Sequence, residues 1–173
     1  MAVSRTGRFA AVTNYRGARE PSAAESRGAL VTRFLDSTVP AGAYMAEVNG
    51  KAASYSGFNL LACDGAELWW TSNRDGAPRR LEPGYYALGN LLLDSPEVAS
   101  IRERARELLE TTPAVEPLFS LLGTARIVNP QYGTRCSTVL LLSNQGRVRY
   151  AERGFAADGA EGETLQFEFS TEA

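Results

Sequence analysis

The sequence contains no histidine. That absence removes a Ser-His-Asp triad, a Cys-His pair and any histidine-ligated zinc or haem from the chemistry these residues can perform alone. Cysteine is scarce: the two present, Cys63 and Cys136, are far apart and in no metal-ligand spacing. Their number permits a disulfide; the reading adopted is two buried free thiols in a reducing cytosol. No run is long and apolar enough to span a bilayer, and the opening MAVSRTGRFAAVTNYR lacks the apolar core of a secretion signal. Excess charge is lacking too. A net charge of −2 gives no reason to expect nucleic acid or an anionic membrane as a partner. No metal or cofactor is expected, and the expected location is the cytoplasm.

What is present is an ordinary globular composition. The 173 residues are 44% apolar and 22% charged, enough for a real core, and are read as a single domain over 1–173. Met1 to Val3 and Phe9 to Thr13 flank a polar turn and predict a hairpin. Gly17 to Arg27 reads as a polar loop containing Pro21. Leu30, Val31, Phe34 and Leu35 fall at helical spacing, with Ser26 as N-cap. A second short helix follows Pro40 and closes near Asn49-Gly50. Two apolar runs, 58–63 and 67–71, joined by Asp64-Gly65, predict another hairpin.

The stretch WWTSNRDGAPRRLEPGYYALGNLLLD, from Trp69 to Asp94, holds the densest set of polar side chains. It reads as strand, Gly- and Pro-rich loop, and strand, the third strand being 85–89. Ser95-Pro96-Glu97 starts the clearest helix, with Ser95 as cap and Val98, Ile101, Ala105, Leu108 and Leu109 as its apolar stripe. Its charged residues form a solvated face. Pro113 is expected to break it, and a shorter helix around Leu118 to Leu122 stops at Gly123. A loop through Asn129-Pro130 leads to a buried strand at 138–142. A turn leads on to 147–150, a Gly-rich loop follows, and Leu165, Phe167 and Phe169 alternate in a last strand. Antiparallel hairpins with helices between them predict an α+β fold.

The residues from Ser72 to Asp94, SNRDGAPRRLEPGYYALGNLLLD, closely resemble the signature of the transport and Golgi organisation protein 2 family, whose bacterial members are called NRDE proteins. GRFAAVTNYR, YSGFNLLACDGAELWWTSNR, YGTRCSTVLLLSNQGRVRYAERGF and LQFEF resemble further family blocks in the family's order. The resemblance implies an αββα sandwich like that of the N-terminal nucleophile hydrolases. Family members usually open with a cysteine after the initiator methionine and an Asn-Arg-Asp-Glu motif. This chain has neither at its start, and Asn73-Arg74-Asp75 is followed by Gly76 in a later block. The expectation is therefore an N-terminally truncated domain with no catalytic residue of its own, because Ala2 offers no nucleophile. A missing strand would leave an open sheet edge, so a homodimer or an aggregation-prone product is expected.

By resemblance, Asn59 and Asn90 are candidates for oxyanion support, since donors aimed at developing charge stabilise a transition state. The alternative for each is an amide that ties down a loop. That alternative is the reading adopted for Asn59, and the two readings stay level for Asn90. Arg135 is read as a pocket arginine able to grip a carboxylate, against a structural ion pair. Asn14 and Arg16 end a strand and face the same pocket or form a turn. Arg74, Arg79 and Arg80 read as surface salt-bridging with Asp75 and Glu82. Trp69 and Trp70, as strand neighbours, are expected to put one ring in the core and one outward. Cys136 is set aside as a nucleophile, because no base is visible beside it and the following residues suggest burial. The resemblance implies two functions. One is the handling or trafficking of a small molecule, haem-like or lipid-like, held without histidine. The other is hydrolysis of an amide-like bond by a longer protein whose catalytic cysteine lies upstream of Met1.

Overall fold

A computed structural model describes residues 1–17, 24–111, 114–129 and 131–172. The expected loop around Pro21 falls partly on residues outside these, and the expected break at Pro113 and the proline at 130 fall on them entirely. The protein is α+β with antiparallel sheets, and its chain divides into two compact units, Met1–Ala99 and Ser100–Ala173.

The first unit is a five-stranded antiparallel sheet whose spatial order follows the sequence. Its strands are β1 (Ala2–Val3), β2 (Phe9–Asn14), β3 (Phe58–Cys63), β4 (Leu68–Ser72) and β5 (Arg79–Leu81), with helices α1 (Gly28–Leu35) and α2 (Ala41–Gly50) inserted between β2 and β3. Residues opposite one another across antiparallel strands share a face. Ala10 lies opposite Ala62, and Val12 opposite Leu60. That face packs against Leu30, Val31 and Phe34 of α1 and Ala41, Tyr44, Met45 and Val48 of α2, forming the core of the unit. Each fully buried large side chain there contributes about 1.5–3 kcal/mol. The odd residues of β3, Asn59 among them, project to the opposite face.

The second unit is a three-stranded antiparallel meander of β6 (Cys136–Leu142), β7 (Arg147–Phe155) and β8 (Glu161–Ser170), preceded by α3 (Ala99–Leu109) and α4 (Val115–Gly123). Phe119 of α4 packs on Val139 and Ala151, with Leu118, Leu122 and Leu141 around them.

Several expectations need correction. The third strand predicted at 85–89 is not formed; the strand after β4 is Arg79–Leu81. Arg80 pairs with Trp69 across the ladder, and its guanidinium bridges Glu67 and Glu82. Pro83 has no N–H to continue the ladder. Farther on, Ala87 pairs instead with Asp94: its N–H donates to Asp94 Oδ1 at 2.9 Å, and its carbonyl accepts the Asp94 N–H at 2.9 Å. The cap position of α1 is Arg27, although the Ser26 hydroxyl oxygen accepts the Gly28 N–H at 3.3 Å. Ser95 precedes a 3-10 turn, Pro96–Val98, with its hydroxyl unpartnered among the described residues, so it caps nothing. The Gly-rich loop expected after Tyr150 begins only after Phe155, because β7 continues to that residue. The cysteines are free thiols, but Cys63 is half-buried and Cys136 exposed, because Cys136 stands at the open first position of an edge strand.

Candidate functional site

Four of the five anticipated site residues come together in the first unit, around a strap formed by residues 87–94. Asn59 is wholly buried. Its side-chain amide donates to the Leu91 carbonyl at 2.8 Å and to Thr13 Oγ1 at 3.2 Å. The Thr13 hydroxyl in turn donates a hydrogen bond to the Gly89 carbonyl at 2.9 Å. Asn90 is exposed; its side-chain amide donates to the Asn14 carbonyl at 2.8 Å, and its own carbonyl accepts the Arg16 N–H. Asn14 and Arg16 thus meet the strap through their main chain, and their side chains are exposed. Both Asn59 donors are spent on these contacts, while Asn59 Oδ1 has no partner among the described residues. Asp94 closes the strap in a left-handed conformation, φ 57°, uncommon for a non-glycine residue.

Arg135 lies in the second unit. It lines a cavity of about 370 Å³ between residues 127–129 and 131–135 on one side and the β7–β8 turn on the other. Backbone bonds hold both walls. Thr134 N–H donates to the Ile127 carbonyl at 2.9 Å, Ile127 N–H donates to Thr134 Oγ1 at 3.0 Å, and Phe155 N–H donates to the Arg135 carbonyl at 2.8 Å. Gly159, at φ 84°, lets the turn close on Val128: a Cβ there would stand 2.8 Å from a Val128 methyl. On the far side of Phe155 a second cavity, about 330 Å³, is lined by Arg126, Arg153 and Phe119. The Arg153 guanidinium there is occupied by both Glu116 oxygens and by Thr164, whereas Arg126 rests over the Phe155 ring at 4.7 Å.

Sequence reasoning missed several residues that organise these surroundings. Asn73 accepts the Phe58 N–H at 2.9 Å and donates to the carbonyls of Tyr55 and Ala52, tying the end of β4 to the approach of β3. Arg8 is nearly buried, donates to the carbonyls of Phe34 and Val39, and stacks over the Phe34 ring at 4.0 Å. No sequence pattern announces either, since each partner is more than ten positions away. Arg79 and Arg80 do pair with Asp75 and with Glu67 and Glu82, as the charge pattern suggests. Trp70 is the wholly buried tryptophan; Trp69 is half-buried against α2.

Beside Cys136 stands an acid that the sequence did not reveal. The Glu152 carboxylate accepts hydrogen bonds from the hydroxyls of Tyr150 at 2.8 Å and Thr138 at 3.0 Å, and these hold its carboxyl below the ordinary value. Burial first, and the Glu152 charge second, push the Cys136 thiol up. The pair therefore favours a resting thiol over a thiolate nucleophile. Among the described residues no group of three His, Cys, Asp or Glu side chains is placed to hold a metal ion, and no helix is long and apolar enough to cross a membrane.

Comparison with known sequences adds the remaining finding. The profile of a family described as Transport and Golgi organisation 2 matches residues 1–130. The Transport and Golgi organization protein 2 homolog of Bos taurus is 31% identical over 98% of this chain and 76% of the relative. The Homo sapiens homolog is 29% identical over 100% of this chain and 78% of its own length. The Mus musculus homolog is 27% identical with the same coverage.

Proposed function

Because the chain belongs to the Transport and Golgi organisation 2 family, we propose that it serves transport by handling a small metabolite, haem-like or lipid-like, in the cytoplasm, without itself catalysing a reaction. The observation that carries this reading is the preformed cavity of about 370 Å³ beside Arg135, within the size range of small-molecule sites and lined, among the described residues, by apolar and uncharged polar side chains with one cation. With no histidine in the chain, a haem-like cargo would be held by apolar and arginine contacts or by Tyr and Cys side chains. Haemin and palmitate are suitable probes. Retention of either in native mass spectra, with a raised unfolding midpoint, is the expected result. If neither changes the spectrum or the midpoint, the reading fails.

A second reading is favoured by the strap in the first unit. Asn59 Oδ1 is buried without a partner among the described residues, and Asn14, Arg16 and Asn90 gather beside it. In this reading the fold is the αββα sandwich of N-terminal nucleophile hydrolases, and a cysteine encoded ahead of Met1 attacks an amide-like bond. The α-amine of such a cysteine acts as base, which dispenses with histidine. Turnover of amide substrates by the extended protein, unchanged when that cysteine is replaced by alanine, would sink it.

A further inference from the structure

The cavity between residues 127–129 and 131–135 and the β7–β8 turn has an uneven chemistry. Among the described residues lining it, Arg135 alone carries a charge. The guanidinium forms no hydrogen bond or ion pair with any described side chain, in contrast to Arg153 next door, which is held by Glu116, Glu161 and Thr164. Around Arg135 the walls combine apolar or aromatic side chains, Ile127, Val128, Tyr132, Phe155 and Ala157, with the uncharged polar Asn129, Gln131 and Thr134. Three of these present large apolar side chains to solvent, with Ile127 at 47%, Val128 at 53% and Tyr132 at 72% exposure. Exposed apolar groups clustered on one pinned loop mark a binding surface more often than chance scatter does.

We propose that this cavity is a binding site for a small organic anion, a carboxylate carried on a compact aromatic body, with Arg135 as its ion-pair partner. The proposal rests on the ligand-handling reading above and names the ligand class for that same cavity. A guanidinium presents parallel N–H donors that match a carboxylate, so the anion is specified by geometry as well as by charge. No carboxylate of the described lining competes for it. The Phe155 and Tyr132 rings suit a flat apolar body, and the volume is near the lower end for ligand sites, which suits a compact one. Arg126 holds the Phe155 ring from the neighbouring cavity, at 4.7 Å, so one wall is braced before any ligand arrives. The bonds from Ile127 to Thr134 and from Arg135 to Phe155 brace the others. A site whose walls are already ordered loses little entropy on binding.

The test uses the intact chain, with 2-naphthoate and its uncharged counterpart 2-naphthamide as probes in calorimetric titration. Naphthoate is expected to bind about tenfold or more tightly than naphthamide, and to weaken as ionic strength rises. Arg135→Ala is expected to erase that preference, while Arg135→Lys retains part of it as a point charge. Tyr132→Ala, at a largely exposed position where folding is not at risk, should weaken both probes alike. Arg104→Ala, exposed on α3, serves as the control for general loss of charge and should change nothing. Equal affinity for the two probes, no binding of naphthoate, or full affinity in Arg135→Ala each overturns the proposal. Haemin or palmitate still retained by Arg135→Ala would leave the ligand-handling reading standing while removing Arg135 from it.

Discussion

The carboxylate of Asp64, in the β3–β4 turn, accepts the backbone N–H of Ala41, the first residue of α2, at 2.8 Å. Its other oxygen accepts the N–H groups of Ala66 and Glu67 at 3.0 Å each. One side chain thus shapes a hairpin and caps a helix twenty-three positions away. Pro40, the residue in the cap position, has no side-chain donor or acceptor to do so. Burial pushes the Asp64 carboxyl up, but the three N–H donors outweigh it and hold the group below its ordinary value. A depressed carboxyl stabilises the fold above its unfolded-state pKa, and that stabilisation fades as pH falls through the folded value. Asp64→Ala should therefore cost about 1–2 kcal/mol near neutral pH, in the range of a lost helix cap. In urea titrations, its difference from the parent should narrow below the ordinary aspartate range. A difference that stays constant into acid would contradict the capping role.

Gly42 faces Trp69. A Cβ on Gly42 would stand 2.7 Å from the Trp69 indole, a separation that forces the ring or the helix to move. The indole is also tethered, its N–H donating to Glu67 Oε2 at 2.9 Å. Helix propensity alone favours alanine over glycine by about 0.5–1 kcal/mol. Overpacking opposes that with about 1–3 kcal/mol. The clash is expected to win, so Gly42→Ala lowers the thermal midpoint. In a Trp69→Leu background the same substitution should become neutral or stabilising, and a double-mutant cycle by calorimetry reads the coupling directly.

Asn59 fastens the strap to the sheet. Removing its amide leaves the Leu91 carbonyl and the Thr13 hydroxyl without that donor, a loss of about 1–3 kcal/mol. Asn59→Ala should also speed hydrogen exchange at the Arg16 amide, because that N–H donates to Asn90 on the same strap. Global destabilisation with unchanged local exchange at Arg16 would argue against the strap as a unit.

Cys136 and Glu152 are coupled. The Glu152 charge adds to burial in raising the Cys136 thiol, so removing it makes thiolate more available. Labelling of Cys136 by an aromatic disulfide reagent at mildly alkaline pH should accelerate in Glu152→Gln, because one of the two influences that raise the thiol is removed. Cys63, half-buried and remote from Glu152 in sequence, provides the internal reference, followed in Cys136→Ser. An unchanged rate would show that burial alone sets the thiol.

The antiparallel hairpins of this chain were legible because their determinants are local. Asp64-Gly65 between two apolar runs sufficed to predict β3 and β4, and Gly65 does adopt the left-handed φ, 95°, that such a turn uses. The strand expected at 85–89 failed for the opposite reason. Its apolar and aromatic residues suit a strand, but Ala87 found its backbone partners at Asp94, within the strap. Cys136 was misplaced because apolar neighbours along a strand say nothing about whether that strand is at an edge. The gathering of Asn14, Arg16, Asn59 and Asn90 was anticipated only as a suspicion about strand ends, and Arg126 went unnoticed because a lone arginine near a loop carries no signal.

By itself the sequence determined the family blocks, the alternation that builds both sheets and the helices between β2 and β3. It also determined the exclusion of histidine chemistry within this chain. Each follows from residues at short, periodic spacing, where the physics of pleat and helix acts between neighbours. Only the tertiary structure decided that the two donors of Asn59 are consumed by the strap, that Asp64 caps α2, and that Arg135 is the one charged side chain among the described residues lining its cavity. Those outcomes depend on which buried polar group finds which distant partner. Satisfying such groups is a property of the assembled packing, and no stretch of chain contains enough information to settle it.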